Sequence, residues 1–406
     1  MESKPGSKGN LRGNLLLMAS SLFVAFILAE LLLRAFDISY PLPVFQKDFY
    51  RGFSYTPDNE FMQTTEDPPS LVVINRSGFN DRIHELKKPP GYFRIAVLGD
   101  SFTAQVHVKR EHRFTEILEK DLNQRKCFSS KKVEVMNFGV SDYGTAQELM
   151  VLRDNVWPYD PDMVILAFWP MNDLDDNLKE LSYTKCRPYA VFRDGKLEFD
   201  NSFRSLTSAD CGSSKTTLVL SHSRVFQLAR QAYMEARRKM KKYSGSEERI
   251  VKEKISTLRD MAESPQFISI HHESGDEKRR QSWKVTDNLI SIMNQEVKEK
   301  GAEFIVVSLG TMLQVTPDIS VRKILLENTG TDNLFYPGER IRSIGQREGF
   351  AVLDLAPPFQ QFADEHQVYL HKYVNDNGQV TPYGHWTEQA NQLAAKIISD
   401  KLCQKQ

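Results

Sequence analysis

The 406-residue chain has only four cysteines, Cys127, Cys186, Cys211 and Cys403, and no two of them stand close together. That spacing excludes the paired-cysteine pattern of a structural zinc site. Elsewhere His271 and His272 adjoin in a loop-like stretch, where such residues most often bind nothing, and no metal site is expected. No glycine-rich turn of the phosphate-cradling kind occurs, so no nucleotide cofactor is expected either. Neither sign of charge predominates: 53 basic side chains face 53 acidic ones, which gives no reason to expect nucleic acid as a partner. No repeat of fixed period is present, which argues against a solenoid or propeller. What remains is an ordinary globular composition, 40% hydrophobic, with one long apolar run.

That run lies at the amino terminus. Lys4, Lys8 and Arg12 precede a stretch from Leu15 to Leu33 broken only by Ser20, Ser21 and Glu30. Its length matches what a helix needs to cross a bilayer. Basic residues before it and few just after it orient the amino terminus toward the cytoplasm. A cleaved signal peptide is the competing reading; the run is long for one, and no small-x-small cleavage site follows closely. The segments read as a cytoplasmic tail over 1–12, a transmembrane anchor over 13–36 and an extended lead-in over 37–90, with the remainder on the periplasmic or extracytoplasmic side. Glu30 has Arg34 one turn on as an interfacial partner. Four cysteines fit an oxidising compartment, and two disulfides are expected there; buried free thiols are the plainer alternative.

The lead-in is rich in proline and aromatic residues, with one short strand at 71–74 and a turn centred on Gly78. From Phe93 onward, strands and helices alternate. Buried strands are read at 93–99, 133–139, 163–169, 303–309 and 350–355 from their continuous apolar runs. Helices are read at 113–124, 145–156, 284–300, 340–348 and 387–402 from apolar residues three and four apart. This pattern implies an α/β fold with a parallel sheet between helical layers. A segment over about 175–283 is too long for a simple crossover and reads as an inserted subdomain. It opens with a hairpin over 189–199 turning at Asp194-Gly195 and continues through a basic helix over about 223–260. That helix is most simply a solvated surface; the sharper reading is a face toward anionic lipid or glycan.

Four short stretches fall at strand ends or at the start of the last helix: Gly99-Asp-Ser-Phe-Thr103, Asn137-Phe-Gly-Val-Ser-Asp-Tyr-Gly144, Trp169-Pro-Met-Asn-Asp173 and Gly384-His-Trp-Thr387. Each alone has a plain explanation, such as Ser101 capping a helix, Asn172 holding a turn or Gly139 avoiding a clash. As an ordered set they resemble the SGNH (GDSL-type) hydrolases, in particular the bacterial membrane-anchored members, over about residues 75–400. The resemblance implies a flavodoxin-like three-layer sandwich with strand order 2-1-3-4-5, over 91–402, and hydrolysis of acyl esters. It implies Ser101 as nucleophile and His385 as general base. It further implies an oxyanion hole from the backbone of Ser101 and Gly139 and the side chain of Asn172. A serine hydroxyl is a weak nucleophile until a base takes its proton, and donors aimed at the developing oxyanion contribute roughly 3–4 kcal/mol each.

Two departures from the family pattern stand out. Met171 occupies the position before Asn172 where glycine is usual, and Pro382 and Tyr383 stand where many relatives carry the aspartate that orients the histidine. Asp376 is the nearest carboxyl on the same loop, Asp354 reads as structural, and Asp100 reads as a turn former. In a 2-1-3-4-5 sheet the first and last helices lie side by side, so the implied pairing is Cys127–Cys403, leaving Cys186–Cys211 to close a loop in the insertion. The expected activity is a membrane-anchored serine esterase acting on acyl groups, acetyl among them, of an envelope glycan or lipid. The alternatives are an O-acyltransferase on an envelope polysaccharide and a catalytically silent glycan-binding protein of the same fold.

Overall fold

In the computed structural model the described residues are 11–36, 38, 44–63, 70–128, 131–207, 211, 223–229, 232–233, 236, 257–374 and 380–404. Five strands form the central sheet: β1 (Tyr92–Gly99), β2 (Lys132–Asn137), β3 (Met163–Phe168), β4 (Glu303–Ser308) and β5 (Ala351–Asp354). All pair in parallel, in the order 2-1-3-4-5. β3 is buried along its whole length, as a strand covered on both faces must be.

Alternate residues of these strands feed two separate cores. One face (Ile95, Val97, Ile165, Val307) packs against α2 (Phe114–Arg125), α7 (Ala356–His366) and α8 (Glu388–Cys403). The other (Ala96, Leu98, Leu166, Val306) packs against α3 (Thr145–Val151), α4 (Glu277–Glu299) and α6 (Tyr336–Glu348). The fold is thus the expected three-layer α/β sandwich. α5 (Ile319–Thr329) builds a small third cluster with Leu258, Met312 and Leu313.

α1 (Leu11–Ala35) contains the segment Gly13–Ala35, long and apolar enough to cross a membrane. Beyond it the lead-in is more structured than its prolines suggest. It forms two antiparallel hairpins, Phe45–Asp48 with Gly52–Tyr55 and Asn59–Gln63 with Ser70–Ile74. Tyr55, Phe61, Val72 and Ile74 enter the same core as β1 and β3; along Ser70–Ile74 burial alternates, with Val72 and Ile74 facing inward. The Asp194-Gly195 hairpin is present, both turn residues having positive φ as a two-residue turn of its kind requires. Most of the expected basic helix over about 223–260 lies outside the described residues.

Both expected disulfides are formed. Cys127 follows α2 and Cys403 ends α8, with Cα atoms 4.7 Å apart; Cys186 and Cys211 are joined across a sequence separation of 25.

Candidate active site

β1 ends at Gly99, and the chain turns at once into a four-residue helix, Ser101–Ala104. The cap of that helix is Asp100, not Ser101: the Asp100 carboxylate accepts the Phe102 N–H at 2.8 Å. Ser101 is therefore the first helical residue, with an N–H that has no acceptor within the helix and a hydroxyl not spent on capping. Asp100 is fully buried, and burial pushes its carboxyl up to about 7 against the Phe102 and Asn172 donors and the nearby His385. The helix is held from both sides. Asn137 Nδ2 donates to the Thr103 carbonyl at 2.6 Å, and Asn80 Nδ2 to that of Ala104 at 2.8 Å.

Gly139 sits beneath this helix. A Cβ there would lie 2.6 Å from the Thr103 carbonyl carbon and 2.7 Å from its Cβ, so the residue must be glycine for the two loops to touch. Its N–H, however, is engaged by Asn137 Oδ1 at 2.9 Å. The loop's other N–H groups donate as follows: Val140 to the Gly99 carbonyl, Ser141 to Tyr55 Oη, Tyr143 to the Val140 carbonyl and Gly144 to Gln147 Oε1. Among the described residues the Asp142 N–H alone in this loop meets no acceptor, and Asp142 has the left-handed φ of +64°. Tyr183 lies near the Asp142 carboxyl.

Asn172 opens the short helix Asn172–Asp175 after β3, and its Nδ2 bridges to the Tyr143 carbonyl at 3.2 Å, tying the second and third strand ends together. Asp173 next to it is buried and accepts from the Trp169 N–H (2.7 Å) and the Thr145 hydroxyl (3.1 Å). Glu148 on α3 is buried with neither carboxyl oxygen hydrogen-bonded. Burial, together with the neighbouring Asp173 and Asp100, holds it well above the usual carboxylate range.

His385 arrives on a strand rather than at a helix start: Val380–Trp386 pairs antiparallel with His371–Val374, with Lys372 opposite His385. Thr387 then caps α8. The His385 ring lies against Phe102, the neighbour of Ser101, with centroids 5.3 Å apart, and stacks on His107 at 4.4 Å with planes 21° apart. Asp376 lies outside the described residues. Asp354 ends β5 and accepts from the Ala356 N–H at 3.1 Å, with Gly338 pressed against its carboxyl; it is a helix-start support. His271 is a satisfied core histidine, bonded to the Phe267 carbonyl and the Thr311 hydroxyl, both at 2.8 Å, and burial lowers it to about 4. Among the described residues no group of three or more His, Cys, Asp or Glu could hold a metal ion.

No family model matches the chain, and no characterised protein matches it in sequence. Solved structures do resemble it. An acetyl xylan esterase, AlAXEase, aligns at 10% identity over 76% of this chain and 99% of its own, with a TM-score of 0.36. The acetylxylan esterase Axe2 of Geobacillus stearothermophilus aligns at 8% identity over 76% of this chain and 94% of its own (TM-score 0.37). A lipase/acylhydrolase from Enterococcus faecalis aligns at 12% identity over 77% and 96% (TM-score 0.34).

Proposed function

We propose that the protein is a serine esterase of the SGNH type, tethered to the membrane through α1, with its catalytic domain outside the cytoplasm. Ser101 Oγ attacks the ester carbonyl while His385 takes its proton. The tetrahedral oxyanion is held by the Ser101 N–H and, from the second loop, the Asp142 N–H; the Asn172 side-chain amide, which donates to the Tyr143 carbonyl, turns from that acceptor to add a third donor. Gly139, whose N–H is occupied, serves instead to let that loop close on the nucleophile helix. His385 returns the proton to the leaving alcohol, and water activated by the same ring releases the acid and restores Ser101.

The observation that carries this reading is the state of Ser101. It stands at the carboxyl end of a central strand with its hydroxyl free of capping duty, one residue from the aromatic ring that supports an imidazole. Ligands of open α/β sheets gather at that edge. The acyl ester is proposed to belong to an envelope glycan or lipid, since an extracytoplasmic enzyme on a short tether meets those first.

Hydrolysis of a short aryl ester by the full chain tests the reading. Wild type should turn the ester over, and Ser101→Ala and His385→Ala should each lose about 10³-fold or more. Turnover that survives Ser101→Ala contradicts it. Adding an oligosaccharide acceptor and finding acylated sugar would assign the same residues to transfer instead.

A further inference from the structure

We propose that His107 is a positioning residue for His385: its imidazole is the flat wall on which the base is stacked and against which the positive charge of the protonated base is carried. The inference rests on the catalytic reading of Ser101 and His385 given above.

The two rings face each other at 4.4 Å with planes 21° apart, while Phe102 meets the same His385 ring at a tilt of 58°. Together these contacts restrict rotation of the base, work that a carboxylate does in other serine hydrolases. The residues two and three before His385 are Tyr383 and Pro382, neither of them an acid.

The wall is itself rigid. His107 follows Gln105, which takes the left-handed φ of +48° and donates its side-chain amide to Asn391 on α8. The Val106 carbonyl accepts from the Ser70 hydroxyl at 2.6 Å, and the Val108 N–H closes back onto the Gln105 carbonyl at 3.2 Å. His107 is buried, with the Trp386 backbone beside its ring. Burial first, and the neighbouring His385 and Arg113 in addition, hold its imidazole well below its ordinary range. It therefore presents a neutral aromatic face, and such a face attracts a cation set over it. The other titratable groups around His385 are the Asp100 carboxyl from the nucleophile turn, His371 from the paired strand, also kept neutral by burial and by His385, and Lys372 opposite in register.

The test is the pH dependence of aryl ester turnover by the full chain, in wild type, His107→Phe and His107→Leu. Phenylalanine keeps the flat face and should hold kcat within about 3-fold. Leucine removes it and should lower kcat about 10- to 100-fold with KM little changed, because the loss is in orientation of the base. In the leucine variant alone the acid limb of kcat/KM should move down by about half a unit, as the protonated base loses its partner. Should His107→Leu fail to fold, His107→Met supplies a flexible apolar side chain for the same comparison. A leucine or methionine variant matching wild type in kcat and midpoint overturns the proposal. So does a phenylalanine variant as impaired as leucine, which would place the requirement in the ring nitrogens. If Ser101→Ala is as active as wild type, the catalytic reading fails instead, and the two failures are told apart.

Discussion

Replacing Gly139 by alanine separates two roles that this residue could play. An oxyanion donor would act through its N–H, which alanine keeps. A spacer acts through the missing side chain, which alanine supplies. The new Cβ would lie 2.6 and 2.7 Å from Thr103 carbon atoms and nearer still to the Ala104 nitrogen. Ordinary carbon contacts lie near ~3.5–4.0 Å, so the overlap is about 1 Å against backbone. Backbone cannot swing aside as a side chain can, so the turn carrying Ser101 must move by about that distance. A misplacement of about 1 Å at a reacting group costs on the order of 10²-fold. The strain itself should cost about 1–3 kcal/mol of stability. The assay is kcat and KM on an aryl ester beside a thermal melt. A fall in kcat near 100-fold with a lowered Tm is expected. A variant within about 3-fold of wild type, melting at the same temperature, would refute the packing argument.

Three further perturbations address the scaffold. Chain-entropy scaling of the sequence separations, 276 for Cys127–Cys403 and 25 for Cys186–Cys211, gives about 5.5 and about 3.5 kcal/mol for removing each bridge by paired serine substitution, so chemical denaturation should rank them in that order. Asp176→Asn leaves the fully buried Arg187 without the carboxylate 2.7 Å from its Nη1 and should cost about 3–5 kcal/mol, read as a lowered denaturation midpoint. Glu148→Gln concerns pH. Burial raises the folded-state carboxyl well above its unfolded value, so its contribution is complete below the unfolded value and is lost as pH rises toward the folded one. Glutamine does not titrate, so the variant should gain on wild type between pH 5 and pH 8 by about 1–3 kcal/mol, measured as a growing difference in denaturation midpoint.

The sheet was readable in the chain because its strands are buried on both faces and so appear as unbroken apolar runs, β3 (Met163–Phe168) most plainly. The two disulfides followed once the strand order was assumed, since α2 and α8 must then be neighbours. The lead-in hairpins were harder. The strand at 71–74 is legible from its apolar run, but Phe45–Asp48, Gly52–Tyr55 and Asn59–Gln63 are four or five residues long and mix polar with apolar positions, so their signal is weak among the surrounding prolines. α5 and α7 carry no clear sequence signal; α7 begins Ala356-Pro-Pro, and proline at a helix start resembles proline in a loop. At the site, residue types at strand ends were legible but their hydrogen bonds were not. No motif states that Asn137 will occupy the Gly139 N–H, or that Asp142 will be left with its own unengaged. His107 carried no signal at all, being a single histidine in a loop whose partner lies 278 residues away in the chain.

The central claim is that the Ser101 hydroxyl is the nucleophile and His385 the base that activates it. Labelling of the intact protein by a fluorophosphonate, followed by peptide mapping, tests this most directly, because the reagent reacts with an activated serine and not with an ordinary one. A single adduct on Ser101, abolished by His385→Ala while the fold persists, is the predicted result. An adduct on another serine, or labelling of Ser101 that does not depend on His385, would contradict it.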